Sequence, residues 1–467
     1  MSAREDRTRR FLAVSLCFVA LWAIFQFAFP YHLAFKERYV LFLSESSWLT
    51  SYFSKPAPLS FITGDWLTQF FLLPGAPALI TTVLLLVIWD GFRHVAAALG
   101  SRRPGGWALL PVAVLAVCIL SPEVPLAILT GTALFAWLFA WALQRKNRIL
   151  RYALLLLSLV LLVPTARSLM ASARMQWPDR EREYDYRIYC KASLGQWDTV
   201  EKLGRRNPHE SLMTSYYYNL SQARRDKLPD GLLQAYQPTY HGLLIPVKPG
   251  VECFRLMAST DALYLAGDYA QAQHSAMLGM TFSPRQRSAE MVKAMADIAF
   301  ANGDYDTARR YLWMLSKTLF YKRWAREGLQ LLEAGTDQLA IKNDCRDQLI
   351  QHNDFRTSLA NIAATSTRGK TAADYLLCLD LLDKNLDHFR TDYDTLYKGT
   401  YDFGGIPVLY QEALLMTFDE NTSPADQLTA YGIARTTLDN CTEFLKGNET
   451  RFRTSYWFYY KYAQPAE

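Results

Sequence analysis

Three charged side chains sit where apolar sequence gives way to polar sequence: Asp65, Glu123 and Arg167. Two acids and a guanidinium at a membrane border suit a lipid-linked phosphate, the carboxyls moving protons and the arginine meeting phosphate oxygens. The plainer reading is border charges that face water. A second motif, Ala364-Thr365-Ser366-Thr367-Arg368-Gly369-Lys370-Thr371, loosely fits the phosphate-loop pattern in which backbone amides cradle phosphates and a lysine meets the terminal ones. That pattern needs a buried strand before it and more glycine within it. Residues Asp354 to Ala363 read as helix or loop, so the expectation is a polar turn with Thr371 capping a helix, and Lys370→Ala should leave function intact.

The remaining reactive residues are dispersed. His32, His94, His209, His241, His274, His352 and His388 form neither an HExxH nor an H-x-H pair, and neither GxSxG nor GxGxxG occurs. The seven cysteines include no CxxC, whose short spacing lets two ligands reach one ion. Cys17 and Cys118 lie in apolar stretches, and the set reads as buried or free thiols. No cofactor and no metal are expected.

The elements that must position these residues divide the chain. At 467 residues it exceeds a single compact core, so at least two folding units are expected. A mean hydropathy of −0.04 averages a very apolar front with a polar back. Residues 1–173 carry 15 Lys/Arg against 7 Asp/Glu, which leaves 35 against 37 of the totals of 50 and 44 for residues 174–467. The second part thus lacks the clustered basic charge of a nucleic-acid footprint, and nucleic acid is excluded as a partner.

Apolar stretches predict about five transmembrane helices within residues 1–170, near 11–29, 76–99, 107–121, 125–143 and 149–166, because about 20 apolar residues cross a bilayer as a helix. The first is read as an uncleaved anchor rather than a signal peptide, since Phe27-Ala28-Phe29-Pro30-Tyr31 lacks a cleavable small-x-small site. A four-span alternative has the hairpin around Ser121-Pro122-Glu123-Val124-Pro125 stopping short. Arginines and lysines concentrate at the amino terminus, in the 91–106 loop and in the 144–151 turn, which places the amino terminus in the cytoplasm. With five spans the remainder is periplasmic, and the chain is a multi-pass bacterial inner-membrane protein. The outer loop 30–65 alternates aromatic and polar residues, as short helices at the headgroup level do.

Residues 178–467 read as a soluble all-α domain with internal repetition. Leu263-Tyr264-Leu265-Ala266-Gly267-Asp268-Tyr269-Ala270-Gln271-Ala272 is echoed 36 residues later by Ala299-Phe300-Ala301-Asn302-Gly303-Asp304-Tyr305-Asp306-Thr307-Ala308. In Gly-Asp-Tyr-x-x-Ala the glycine ends one helix, the aspartate caps the next, and the alanine lets the pair approach. Weaker echoes stand at Leu194-Gly195-Gln196-Trp197 and Leu382-Asp383-Lys384-Asn385-Leu386, while the proline-rich stretch Leu228 to Gly250 interrupts the array.

This pattern resembles the tetratricopeptide repeat, with Pro284 near the position of that repeat's terminal proline. A wider likeness rests on Gln69-Phe70-Phe71, Tyr217-Tyr218-Asn219-Leu220, Ala308-Arg309-Arg310-Tyr311-Leu312, Lys317-Thr318-Leu319-Phe320-Tyr321 and Tyr410-Gln411-Glu412-Ala413. It resembles a family of functionally uncharacterised polytopic inner-membrane proteins of Bacteroides-type bacteria, which implies the localisation but supplies no catalytic residues. The expected architecture is all-α, a transmembrane bundle followed by a tetratricopeptide-like domain. The expected function is a non-enzymatic scaffold in contact with the bilayer that holds an envelope protein or peptide. The alternative is an envelope enzyme acting on a lipid-linked or glycan substrate through Asp65, Glu123 and Arg167. Seven aromatics between Phe452 and Tyr462 are expected to close the array.

Overall fold

The computed structural model describes residues 3–54, 57–171, 177–248, 250–334, 354–366, 369–402, 404–418 and 423–463, with side chains except at 3–11, 13, 163–165 and 167–171. Every regular element among the described residues is helical. The chain forms two compact units. The first comprises Met1–Cys190, Phe282–Lys293 and Arg310–Glu333, the second Lys191–Thr281, Ala294–Arg309 and Ala334–Glu467. Three stretches read from sequence as part of the soluble half, residues 178–190, 282–293 and 310–333, therefore belong to the first unit.

In that unit α1 (Ala3–Ala23) runs into a π-helical turn at Ile24–Ala28, and the chain bends by 84° before Pro30–Tyr39. Pro30, which has no N–H to give to a continuing helix, starts the new direction. Then come α2 (Pro58–Thr68), α3 (Ala76–Ala98), α4 (Leu109–Cys118), α5 (Ala127–Leu143) and α6 (Arg148–Ala171). Helix α5 is the centre, packed against α2, α3 and α6. Small residues make this possible. A Cβ on Gly64 would meet Ala127 backbone at 2.5 Å, and one on Gly91 would meet Ala136 Cβ at 2.8 Å.

The outward faces of the same helices are apolar too: Leu16, Phe27, Val83, Leu110, Leu134, Ile149 and Leu156 are exposed. Among the described residues α3 alone is long and apolar enough to cross a membrane, and the bent pair makes a second candidate. Five crossings were expected from hydropathy. Helices α4 and α5 have only 10 and 17 residues, and the chain turns between them at Ser121–Pro125, where the sequence reading placed a hairpin.

The second unit is built from α7 (Trp197–Arg206), α8 (Leu212–Ala223), α9 (Cys253–Ala266), α10 (Tyr269–Phe282, all but its last residue), α11 (Phe355–Thr365), α12 (Gly369–Leu382), α13 (Val408–Met416), α14 (Arg435–Leu445) and α15 (Tyr456–Tyr462). Its core runs along α8 and α12, which are buried nearly all round. Polar groups of α8 are answered inside: Tyr216 Oη donates to Ala258 O (2.6 Å) and accepts from Ala262 N–H (3.1 Å), and Asn219 Nδ2 donates to Gly242 O (2.9 Å).

Four inter-helix turns share one geometry. A residue at positive φ, namely Gly195 (70°), Gly267 (92°), Gly303 (70°) or Lys384 (57°), precedes a residue whose N–H reaches the carbonyl five positions back. These bonds are Gln196 to Lys191, Asp268 to Leu263, Asp304 to Ala299 and Asn385 to Asp380, each 2.9 Å. Asp268, Asp304 and Asn385 then accept a side-chain cap bond from Gln271, Thr307 and His388 N–H. Both strong repeats and both echoes thus mark the same turn.

Candidate functional site

Asp65 stands in the last turn of α2, 3% exposed. Both of its oxygens are engaged within the first unit: Tyr52 Oη donates to Oδ2 at 2.7 Å, and Arg285 Nη1 forms an ion pair with Oδ1. Arg285 arrives on the turn Ser283–Arg287, where Gln286 N–H bonds Ser283 O (3.0 Å) and Arg287 N–H bonds Ser283 Oγ (3.1 Å). Gln286 takes φ 55°, a left-handed conformation that costs a non-glycine residue about 1–2 kcal/mol. It reverses the chain between two arginines, so both reach one aromatic wall. Arg285 Cζ lies 5.2 Å from the Phe61 ring, and Arg287 Cζ lies 4.3 Å from Trp48 and 5.6 Å from Tyr52.

Burial lowers the Arg285 guanidinium to about 10, so it remains charged at neutral pH beside Asp65. A carboxylate held on both oxygens is committed to structure rather than to proton exchange. The donors are another matter. Arg285 Nη2, Arg287 Nη1 and Trp48 Nε1 are buried with no acceptor among the described residues. Each such orphan donor costs about 1–3 kcal/mol.

Glu123 has a different setting. Its loop supplies Ser121 O and Val124 O (2.8 Å) as acceptors for the buried Lys36 Nζ, and its charge acts on that ammonium. Arg167 belongs to α6, and its side chain lies outside the described residues. Asp65 and Glu123 thus each have a local cationic partner, and the reading of Asp65 as a water-facing border charge gives way because it is buried, whereas Glu123 is half-buried.

A further buried ionic cluster escaped the sequence reading. Arg38 Nη1 lies 3.6 Å from both Glu37 Oε2 and Glu290 Oε1, while Tyr189 Oη donates to Glu290 Oε2 at 3.0 Å and Tyr321 Oη to Glu37 Oε1 at 3.5 Å. Burial pushes the adjoining Cys190 thiol up to about 11. The charged triplet Lys36-Glu37-Arg38, set between aromatics, was the available signal. Among the described residues no three His, Cys, Asp or Glu side chains gather into a metal-binding group.

The loose phosphate-loop match is a helix junction. Helix α11 precedes it, α12 begins at Gly369, and Lys370 Nζ is spent on Asp374 Oδ2 at 2.8 Å. Thr371 lies inside α12 rather than capping it, and Thr367 and Arg368 lie outside the described residues.

Measured against known proteins, this all-helical chain belongs to a family described as a family of unknown function (DUF6057), which it matches over residues 7–173 and 152–463. No curated protein and no solved structure matches it. Three of the segments on which the resemblance rested, Gln69–Phe71, Lys317–Tyr321 and Tyr410–Ala413, make structural contacts. Within the first unit Leu319 N–H donates to Gln69 Oε1 (3.3 Å), and the Phe70 and Phe320 rings meet edge to face at 5.8 Å. Within the second, Tyr410 Oη donates to Asp374 Oδ1 at 2.9 Å, and Gln411 Oε1 accepts from Ala434 N–H and Thr437 Oγ1, both at 2.9 Å.

Proposed function

We propose that this protein is a membrane-anchored scaffold whose helical-repeat unit holds an envelope protein or peptide. The observation that carries the reading is the recurrence of one turn geometry at Gly195, Gly267, Gly303 and Lys384, since stacked helical hairpins bind through extended surface rather than a deep pocket. The tetratricopeptide likeness supports the same reading. So does Asp65, whose engagement by Tyr52 and Arg285 argues against a free acid or base.

Anchoring rests on the exposed apolar faces of α1 and α3–α6, which exceed what a water-facing surface normally leaves open. Between α1, α3 and α4 lies an apolar cavity of about 640 Å³, lined by Phe18, Leu85 and Ala113, with Arg93, Arg102 and Arg103 at its mouth. Acyl chains and anionic headgroups complement that lining and rim. The proposed topology has five crossings, a cytoplasmic amino terminus and a periplasmic carboxy-terminal unit.

Two measurements test this. A reporter fused after Glu467 should be active only outside the cytoplasm, and cytoplasmic activity overturns the topology. A photo-crosslinking residue at the exposed Met277 or Leu194 should give one discrete adduct in cells. Absence of any adduct at both positions and across the other exposed sites of this unit overturns the scaffold.

A further inference from the structure

Three orphan donors of the first unit, on Trp48, Arg285 and Arg287, share one neighbourhood, and its charge has a sign. Arg285 bonds Asp65, which accepts from Tyr52; Arg287 covers the Tyr52 ring and the Trp48 ring. Two guanidiniums against one carboxylate leave the group with a net positive charge. Arg285 spends one arm of its fork on Asp65, which fixes the plane of the guanidinium and leaves Nη2 as a pre-aimed donor. Arg287 Nη1 and Trp48 Nε1 complete a set made of donors only. A neutral sugar or amide brings donors of its own, which would be left without partners here. A phosphate group presents only acceptor oxygens and a negative charge, and matches arginine forks best.

The surroundings fit a ligand that enters from the surface. Arg285 keeps 13% of its side chain exposed, and Phe53 and Trp66, the residues next to Tyr52 and Asp65, are exposed aromatics. The chain also accepts a left-handed Gln286 to bring the two arginines together, as functional sites often do.

We propose that Arg285, Arg287 and Trp48 form a receptor for a phosphate group, with Asp65 and Tyr52 acting as positioning residues that hold the Arg285 fork. The shared chemistry has two sources, a phospholipid headgroup or a soluble phosphate. This site stands on its own contacts and does not depend on the scaffold reading.

The test uses the full chain in detergent, titrated calorimetrically with inorganic phosphate, and in nanodiscs of phosphatidylcholine with or without phosphatidic acid. Thermal stability of each variant is read in parallel. Wild type should bind at least one phosphate probe; Arg287→Gln should weaken that binding by roughly tenfold or more, as loss of a charge-assisted pair does. Trp48→Phe keeps the ring under Arg287 and removes only the N–H, and should weaken binding by roughly threefold to tenfold. Response to phosphatidic acid alone assigns the lipid source, and response to inorganic phosphate assigns the soluble one. No response of wild type to either probe overturns the proposal, as does unchanged affinity in folded Arg287→Gln or Trp48→Phe protein.

Discussion

Tyr52 donates a 2.7 Å hydrogen bond to Asp65, and the same carboxylate closes an ion pair with Arg285 from a distant part of the chain. Breaking such a buried pair on one side strands the other charge, which costs about 3–5 kcal/mol. Asp65→Ala should therefore destabilise the protein far more than Tyr52→Phe, for which about 1 kcal/mol is expected. Chemical denaturation of the detergent-extracted chain reads both values. Equal stability of Asp65→Ala and wild type would show that Asp65 does not hold this segment.

Close helix packing makes a second, sharper prediction. A Cβ on Gly64 meets Ala127 backbone at 2.5 Å, and backbone cannot step aside as a flexible side chain can. Gly64→Ala should cost about 1–3 kcal/mol. Gly105, where the added atom meets only the Trp89 ring at 3.5 Å, is the control that should tolerate alanine. Similar melting temperatures for the two variants would mean that α2 and α5 can part at little cost.

The same contrast shows what the sequence made legible. The Gly-Asp-Tyr turns could be read because each residue's role is local: glycine takes positive φ, and aspartate caps three residues on. Asp65 stood out as an acid at an apolar border. Its partner did not, since Ser283-Pro284-Arg285-Gln286-Arg287 reads as the end of a repeat and nothing local ties it to residue 65. Span lengths were overread for a related reason. The turn at Ser121–Pro125 was legible, but the spans 107–121 and 125–143 contract to Leu109–Cys118 and Ala127–Leu143, because hydropathy does not mark where a helix stops.

Lys370 separates a motif from its chemistry. Its ammonium pairs with Asp374 on the next turn of α12, and the buried Asp374 also accepts from Tyr410. Lys370→Ala should cost about 1 kcal/mol or less, because the half-exposed lysine is screened and Tyr410 remains. Addition of magnesium ATP should leave the melting temperature of wild type and variant unchanged. A nucleotide-dependent rise in wild type that Lys370→Ala abolishes would restore the phosphate-loop reading.

The last prediction concerns the carboxy-terminal aromatics, of which Tyr456 and Trp457 are buried. Glu412 holds both: its Oε2 accepts from Tyr456 N–H at 2.7 Å, and its backbone carbonyl accepts from Trp457 Nε1 at 3.0 Å. Tyr456 Oη and Tyr459 Oη then donate to Leu381 O (3.1 Å) and Leu382 O (3.0 Å), which seats α15 against the end of α12. Burial raises the Glu412 carboxyl from 4.5 to about 7, although the Tyr456 N–H opposes the shift. The folded state thus binds this proton more tightly than the unfolded chain, so the group's contribution is fully present below pH 4.5 and is lost as pH rises through 7. The loss amounts to about 3 kcal/mol at most. Glu412→Gln retains an acceptor for Tyr456 N–H without a charge, so its stability should stay flat across that window and exceed wild type at pH 8. Truncation after Gly447 removes α15 altogether; it should lower the melting temperature and erase the pH-dependent difference between the wild-type and Glu412→Gln backgrounds. Melting curves of the full and truncated chains between pH 4 and 8 decide it, and a Glu412→Gln protein less stable than wild type at pH 8 would show that the ionised carboxylate, not the neutral acid, secures this helix.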